Sequence, residues 1–254
     1  MTQLLAHRGA SHLAPENTLS AFQLGRELGA DGFECDVQRC QSGELVLFHD
    51  EKVDRTSNFQ DLKVQNQILS SSNKIKDLSY KDLQKLDVGN WKNEKFKGEK
   101  IPLLEEIFKF LSPEEFLIIE VKIRQIFSNG AEHELFDLLE KFSIQDQVLV
   151  ASFNPFFLWR FKRITQKYRI GLISDVKPSH VRQRKIWQRI LKPFALLLED
   201  YSGSEVEIIQ AHQNHRKVFL WTLDSIEEIQ GAFQKGADGV ISNRAEIFKD
   251  FRKE

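Results

Sequence analysis

The chain has 254 residues, 41% hydrophobic and 29% charged, with a formal net charge of −1. That length buries one sizeable core and matches a single α/β barrel, and the overall charge balance gives no ground for nucleic acid or membrane as a partner. Two cysteines, Cys35 and Cys40, imply no disulfide framework and fit a reducing, cytoplasmic setting; no signal peptide is expected, and no run approaches the ~18 apolar residues of a membrane span.

Leu4 to Gly9 reads as a short buried strand ending in polar residues. Thr18 to Leu28 follows as a helix, with Leu19, Phe22 and Leu28 as its apolar stripe, Thr18 or Asn17 as its cap and Gly29 as its stop. Asp31 to Gln38 reads as a strand. Leu45 to Asp50 is another, joined to it by a turn at Ser42-Gly43 as a hairpin excursion. Residues 51–100 are polar and rich in Lys and Asn, with one helix near Tyr80 to Leu86. With the hairpin they form an insertion at about 45–100 in one domain spanning 1–254, rather than a repeat unit. Helical periodicity returns from Pro102 to Leu111.

From there strands are expected at Phe116–Lys122, Val148–Phe153, Arg169–Ser174, Phe194–Asp200, Lys217–Leu223 and Gly239–Ser242. Helices are expected over 131–142, 155–167, 178–190, 204–214, 225–235 and 244–252. With the first two strands, and without the hairpin, this makes eight strands alternating with helices. Near-continuous apolar strands in that order indicate the α/β class: a parallel (β/α)8 TIM barrel with helices outside and a small inserted arm after the second barrel strand. An open doubly wound sheet is the alternative, but no glycine-rich dinucleotide fingerprint follows the first strand.

Side chains alternate faces along a strand, so Glu34 and Asp36 point one way while Phe33, Cys35 and Val37 point the other. The apolar set belongs against the helices, which turns the two acids toward the barrel axis, near the strand's C-terminal end where barrel sites form. The same logic sends Ile119 and Val121 outward and Glu120 and Lys122 inward. Three carboxylates at one mouth repel strongly unless a cation sits among them, and oxygen ligands suit Mg²⁺, Ca²⁺ or Mn²⁺ rather than zinc. Taken singly, each group has an ordinary reading: Glu-x-Asp as a polar strand edge, Lys122 as a counter-ion, His49-Asp50 as a turn, His7 as a core histidine. Their coincidence at predicted strand ends, together with Arg8, separates a site from those readings, because buried ionisable groups are costly.

The fragments His7-Arg8-Gly9-Ala10, Pro15-Glu16-Asn17-Thr18, Gly29-Ala30-Asp31-Gly32, Glu34-x-Asp36-Val37, His49-Asp50, Arg55-Thr56 and Ile101-Pro102-Leu103-Leu104-Glu105-Glu106 resemble the glycerophosphodiester phosphodiesterase family. Glu120-Val121-Lys122, Ala151-Ser152-Phe153, Trp221-Thr222-Leu223-Asp224 and Gly236-Ala237-Asp238-Gly239-Val240-Ile241 continue it in family order over nearly the whole chain. The resemblance implies a barrel with an inserted arm and hydrolysis of a glycerophosphodiester to sn-glycerol 3-phosphate and an alcohol. It implies that Glu34, Asp36 and Glu120 hold a divalent cation, that His7 and His49 are general acid and base, and that Arg8 and Lys122 bind the phosphate. Trp221 is either a glycerol-packing side chain or a core aromatic. The chain departs from the family pattern at Arg39-Cys40-Gln41-Ser42-Gly43, in a longer Phe59 to Lys76 segment, at Asp224 where the family commonly has Asn, and at Ser242-Asn243-Arg244-Ala245 where it often has Thr-Asp-x-Pro.

Two other readings are carried forward. One is a lysophospholipase D type of phosphodiesterase acting on acylated lipids; the other is a non-catalytic barrel that binds phosphodiesters or a partner protein. Between Trp159 and Lys192, eleven basic residues crowd around Trp159, Phe161 and Trp187. That stretch is either the solvated face of outer helices or a weak contact with anionic membrane.

Overall fold

The computed structural model describes residues 2–65, 70–175, 177–199 and 205–252. Eight parallel strands close on themselves: β1 (Gln3–His7), β2 (Gly32–Arg39), β4 (Phe116–Val121), β5 (Val148–Ser152), β6 (Arg169–Ser174), β7 (Ala195–Glu199), β8 (Lys217–Trp221) and β9 (Gly239–Ser242). Closure comes from β1, which pairs with β2 on one side and β9 on the other. The short β3 (Leu45–Leu47) lies outside this ring, antiparallel to the end of β2. The expected eight-stranded barrel with an excursion after its second strand is borne out.

Alternation along the strands sorts the side chains as the pattern requires. Leu5, Ile118, Leu149, Leu197, Phe219 and Ile241 fill the barrel interior. Phe33, Cys35, Val37, Ile119 and Val121 face outward into a larger core shared with the helices. That core takes Phe22 from α1 (Leu19–Glu27), Ile107 from α4 (Leu104–Phe110), Leu135 from α5 (Ala131–Phe142) and Phe157 from α6 (Pro155–Ile164). The ring of helices continues with α7 (Pro178–Leu191), α8 (Glu205–Gln213), α9 (Ile226–Gln234) and the short α10 (Phe248–Phe251).

Some element limits differ from the expected ones, for identifiable reasons. Helix α1 is capped by Thr18, whose side chain accepts from the Ala21 N–H; of the expected stripe it buries Phe22, together with Ala21 and Gly25, while Leu19 and Leu28 are half-buried. The helix lies close to β1 there: a Cβ on Gly25 would stand 3.1 Å from that of Ala6. Strand β3 stops at Leu47 instead of reaching Asp50, because the Gln38 side-chain amide takes over the next carbonyls, donating to Phe48 O at 2.8 Å and Asp50 O at 2.7 Å. The last helix is divided into a 3-10 turn over Ala245–Ile247 and then α10, and α6 ends at Ile164, before the extended Thr165. Expected element ends at Asp200 and Ser204, and residues 66–69 of the arm, lie outside the described residues.

The arm is better built than its polar composition suggests. It contains α2 (Phe59–Val64) and α3 (Tyr80–Leu83), and Val46, Phe48, Phe59, Ile75, Leu83 and Ile101 form a second core of their own. Along β3, Leu45 and Leu47 point into the main core and Val46 into this one, so the strand joins the two. Cys35 and Cys40 are both buried free thiols, one in each core.

Candidate active site

The barrel register brings the acids together. Glu34 pairs with His7 across β1 and β2, and Asp36 pairs with Glu120 across β2 and β4. One carboxylate oxygen from each of Glu34, Asp36 and Glu120 lies within 4.8 Å of the others. All three side chains are buried. Among the described residues, no other group of three His, Cys, Asp or Glu side chains converges in this way.

Two cations answer them. Lys122 Nζ lies 2.6 Å from Glu120 Oε1 and 3.0 Å from Asp36 Oδ1. Arg8 Nε lies 3.0 Å from Asp36 Oδ2, and Nη1 lies 3.1 Å from Glu16 Oε1. Arg8 reaches these acids because its backbone is left-handed (φ 57°) and is followed by Gly9, where a Cβ would strike the backbone of Ala21 at 2.5 Å. Asn17, also left-handed at φ 59°, grips Asp36 twice: its Nδ2 donates to Oδ2 at 2.8 Å, and its Oδ1 accepts the Asp36 N–H at 3.1 Å.

The charges do not balance, and the acids show it. Burial, reinforced by Asp36 and Glu120, pushes the Glu34 carboxyl well above the usual carboxylate range. Burial also raises Glu120, to about 7, against the pull of Lys122. Burial opposes ionisation of Asp36 as well, but Lys122 and Arg8 outweigh it and hold that carboxyl below its usual range. Glu34 Oε1 is buried without a hydrogen-bond partner, and Asp36 Oδ1 is met by the Lys122 ammonium alone. An orphaned carboxylate oxygen in such a cluster fits a divalent cation with oxygen ligands.

The histidines flank this cluster. His7 Nε2 lies 3.6 Å from Glu34 Oε2, and its Nδ1 contacts Asn243 Oδ1 at 2.6 Å. Burial and the Arg8 charge lower its pKa to about 4. His49 sits across the mouth, its Nδ1 donating to Asp50 Oδ1 at 2.7 Å, and burial lowers its pKa. Asp50 accepts from Arg55 Nε at 2.5 Å, Arg55 donates to Glu16 at 2.7 Å, and Glu16 returns to Arg8. A chain of ion pairs therefore links His49 to the guanidinium beside Asp36. His49, Glu120, Lys122 and Phe153 line a cleft of about 360 Å³, which opens between Lys76 of the arm and Arg124 after β4. Trp221 ends β8 against the barrel interior, edge-on to Phe153 with ring centroids 5.7 Å apart, and its buried Nε1 has no hydrogen-bond partner.

The structure thus gathers His7, Arg8, Glu34, Asp36, Glu120 and Lys122 at the mouth, with His49 and Trp221 at its edge. Sequence reasoning gave no part in the site to Glu16, Asn17, Gln38, Asp50, Arg55, Asp224 or Asn243; Asn17 was read only as a candidate helix cap. Gln38 was accessible by the alternation that singled out Glu34 and Asp36, since it is the next residue on that face. The others act through loops joined only by the fold.

Residues 7–247 match the model of the glycerophosphoryl diester phosphodiesterase family. The chain belongs to this family. It is 35% identical over 250 residues to a glycerophosphodiester phosphodiesterase of Caldanaerobacter subterraneus subsp. tengcongensis, covering 96% of this chain and 95% of the relative. It superposes with a TM-score of 0.83 on a phosphodiesterase of Oleispira antarctica in complex with the product sn-glycerol-3-phosphate, at 26% identity over 99% of this chain and 97% of that one. A glycerophosphodiester phosphodiesterase of Agrobacterium tumefaciens, with a TM-score of 0.79 and 21% identity over 98% of this chain and all of that one, shares the fold. The expectation of a phosphoric diester hydrolase on a TIM barrel is borne out by the family. Among the described residues, no helix is long and apolar enough to cross a membrane.

Proposed function

We propose that the chain hydrolyses glycerophosphodiesters to sn-glycerol 3-phosphate and an alcohol, using His7 and His49 as acid and base. The observation that carries this reading is the convergence of three buried carboxylates with Arg8 and Lys122 at a mouth flanked by two histidines. Glu34, Asp36 and Glu120 would hold one Mg²⁺, Ca²⁺ or Mn²⁺, which when bound supplies Lewis-acid polarisation of a phosphoryl oxygen. Arg8 and Lys122 neutralise charge that grows on the phosphate in the transition state. One imidazole takes the proton of the attacking hydroxyl, which is water or the glycerol 2-hydroxyl. As that oxygen bonds to phosphorus, the bond to the alcohol breaks, and the other imidazole protonates the departing alkoxide; attack by water gives glycerol 3-phosphate directly, whereas attack by the 2-hydroxyl gives a cyclic phosphate that a water molecule then opens to the same product. Trp221, at the edge of the mouth, packs on the glycerol backbone. Release of glycerol 3-phosphate from soluble glycerophosphodiesters tests the reading.

A second reading, cleavage of acylated lysophospholipids, is favoured by Ile126 and Phe127, which are 59% and 84% exposed on the loop that lines the cleft. Presenting lysophosphatidylcholine beside glycerophosphocholine in that assay separates the two. A weak contact with anionic membrane through residues 159–192 is part of the proposal. Neighbouring acids pair with several of the basic residues there, among them Arg184 with Glu207 at 2.5 Å and Lys167 with Glu140 at 2.8 Å. Arg163, Lys185 and Arg189 remain beside exposed Trp159, Ile186 and Ile190, a mixture that suits an anionic lipid surface. Sedimentation with phosphatidylglycerol vesicles is expected at low salt and lost at high salt; protein left in the supernatant at low salt removes this part. The free cysteines fit a proposed cytoplasmic setting.

A further inference from the structure

Asp224 and Asn243 follow β8 and β9, and their side chains meet beside the His7 ring. Asn243 Nδ2 donates to Asp224 Oδ2 at 2.8 Å. The Asn243 N–H and Ser242 Oγ donate to Asp224 Oδ1, at 2.8 and 2.9 Å. Asp224 is itself anchored to the first turn of α9, its N–H donating to Glu228 Oε2 at 2.9 Å. A carboxylate accepts hydrogen bonds and donates none. Asn243 is therefore held with its side-chain nitrogen toward Asp224 and its oxygen toward His7. Ser11 Oγ donates to that same oxygen at 3.2 Å. An amide oxygen also cannot donate, so the 2.6 Å contact with His7 Nδ1 requires the proton to sit on Nδ1. The neutral ring then has a bare Nε2, and that atom faces the acid cluster, 3.6 Å from Glu34 Oε2.

We infer that Asp224 and Asn243 are a positioning dyad that fixes the His7 proton on Nδ1 and presents the Nε2 lone pair to the substrate. The second half of this statement rests on the proposed diesterase reaction; the first does not. Neither member touches the acid cluster in this arrangement, so the dyad acts through the ring alone. A purely architectural role, tying the loop after β8 to the loop after β9, is the competing explanation.

The ring nitrogens of the intact protein decide the first half. With ¹⁵N-labelled histidine at neutral pH, and His7 assigned by the loss of its signals in His7→Gln, the expected pattern is a protonated Nδ1 and an unprotonated Nε2. The tautomer is read in the pH range where the ring carries a single proton: that proton on Nε2 overturns the inference whether or not the protein is an enzyme. Kinetics test the second half. Asn243→Leu is expected to lower kcat roughly 10- to 100-fold with KM nearly unchanged, the range for a residue that orients another. Asn243→Asp sets two carboxylates against each other and also lowers kcat. Adding Asp224→Asn to it restores the donor–acceptor order in reverse and brings kcat back to within a few-fold of the parent. Full kcat in Asn243→Leu, or no recovery in the exchanged pair when its melting temperature matches the parent, leaves only the architectural role. If Asn243→Leu does not fold, the exchanged pair and the ring nitrogens still give the answer.

Discussion

Glu34→Gln is expected to lose turnover by about two to three orders of magnitude while leaving the metal-free protein as stable as the parent, or more so. The two effects have one cause. Glu34 is buried beside Asp36 and Glu120, and one of its oxygens has no donor. A glutamine of the same shape removes a charge that burial and two neighbouring carboxylates disfavour, so unfolding in the presence of chelator does not move to lower temperature. The same change would remove one of the three carboxylates proposed to hold the cation. Added Mg²⁺ or Mn²⁺ should then raise the melting temperature of the parent more than that of the variant, since an ion that binds only the native state stabilises in proportion to its affinity. Thermal melts with and without chelator, read beside turnover, check both parts. A variant that melts well below the parent in chelator would mean that Glu34 stabilises the barrel mouth rather than being held there against its own cost.

His49→Ala should lower kcat by roughly 10²- to 10⁴-fold, the usual contribution of a positioned proton-transfer group, with fold and cation affinity preserved. His49 lies on the loop after β3, its carbonyl held by the Gln38 amide, and its side chain pairs with Asp50 rather than with Glu34, Asp36 or Glu120. Its removal therefore leaves Glu34, Asp36 and Glu120 in place. The result also separates an enzyme from a barrel that merely binds phosphodiesters, because loss of one rim imidazole would barely change binding. Steady-state kinetics together with Mn²⁺ affinity check it, and an unaltered kcat would remove His49 from the chemistry.

The acid cluster was legible in the sequence because it depends on a local rule. Glu34, Asp36 and Glu120 lie on barrel strands whose apolar neighbours had to face the helices, so strand alternation alone turned them inward. Barrel closure followed from eight apolar strands spaced by helices. The partners of these groups were not legible in the same way. His7 meets Asn243 across 236 positions, a contact created only when β1 closes against β9. Asp224 and Asn243 looked like two unrelated departures from the family pattern, and the structure shows them hydrogen-bonded to each other. Asn17 and Arg8 reach Asp36 through left-handed backbone, which residue type alone signals weakly. The arm read as a polar insertion because its core residues are scattered through charged sequence, with neither the 2- nor the 3.6-residue period sustained long enough to register.

The central claim is that a divalent cation held by Glu34, Asp36 and Glu120 carries phosphodiester hydrolysis. The measurement that tests it most directly is glycerol 3-phosphate release from glycerophosphocholine, glycerophosphoethanolamine and glycerophosphoglycerol, starting from chelator-treated protein and titrating Mg²⁺, Ca²⁺ and Mn²⁺ separately. The expected result is no release in chelator and saturable recovery with at least one ion. Recovery should be absent in Glu34→Gln. Full release in chelator, or equal release by Glu34→Gln, would contradict the account.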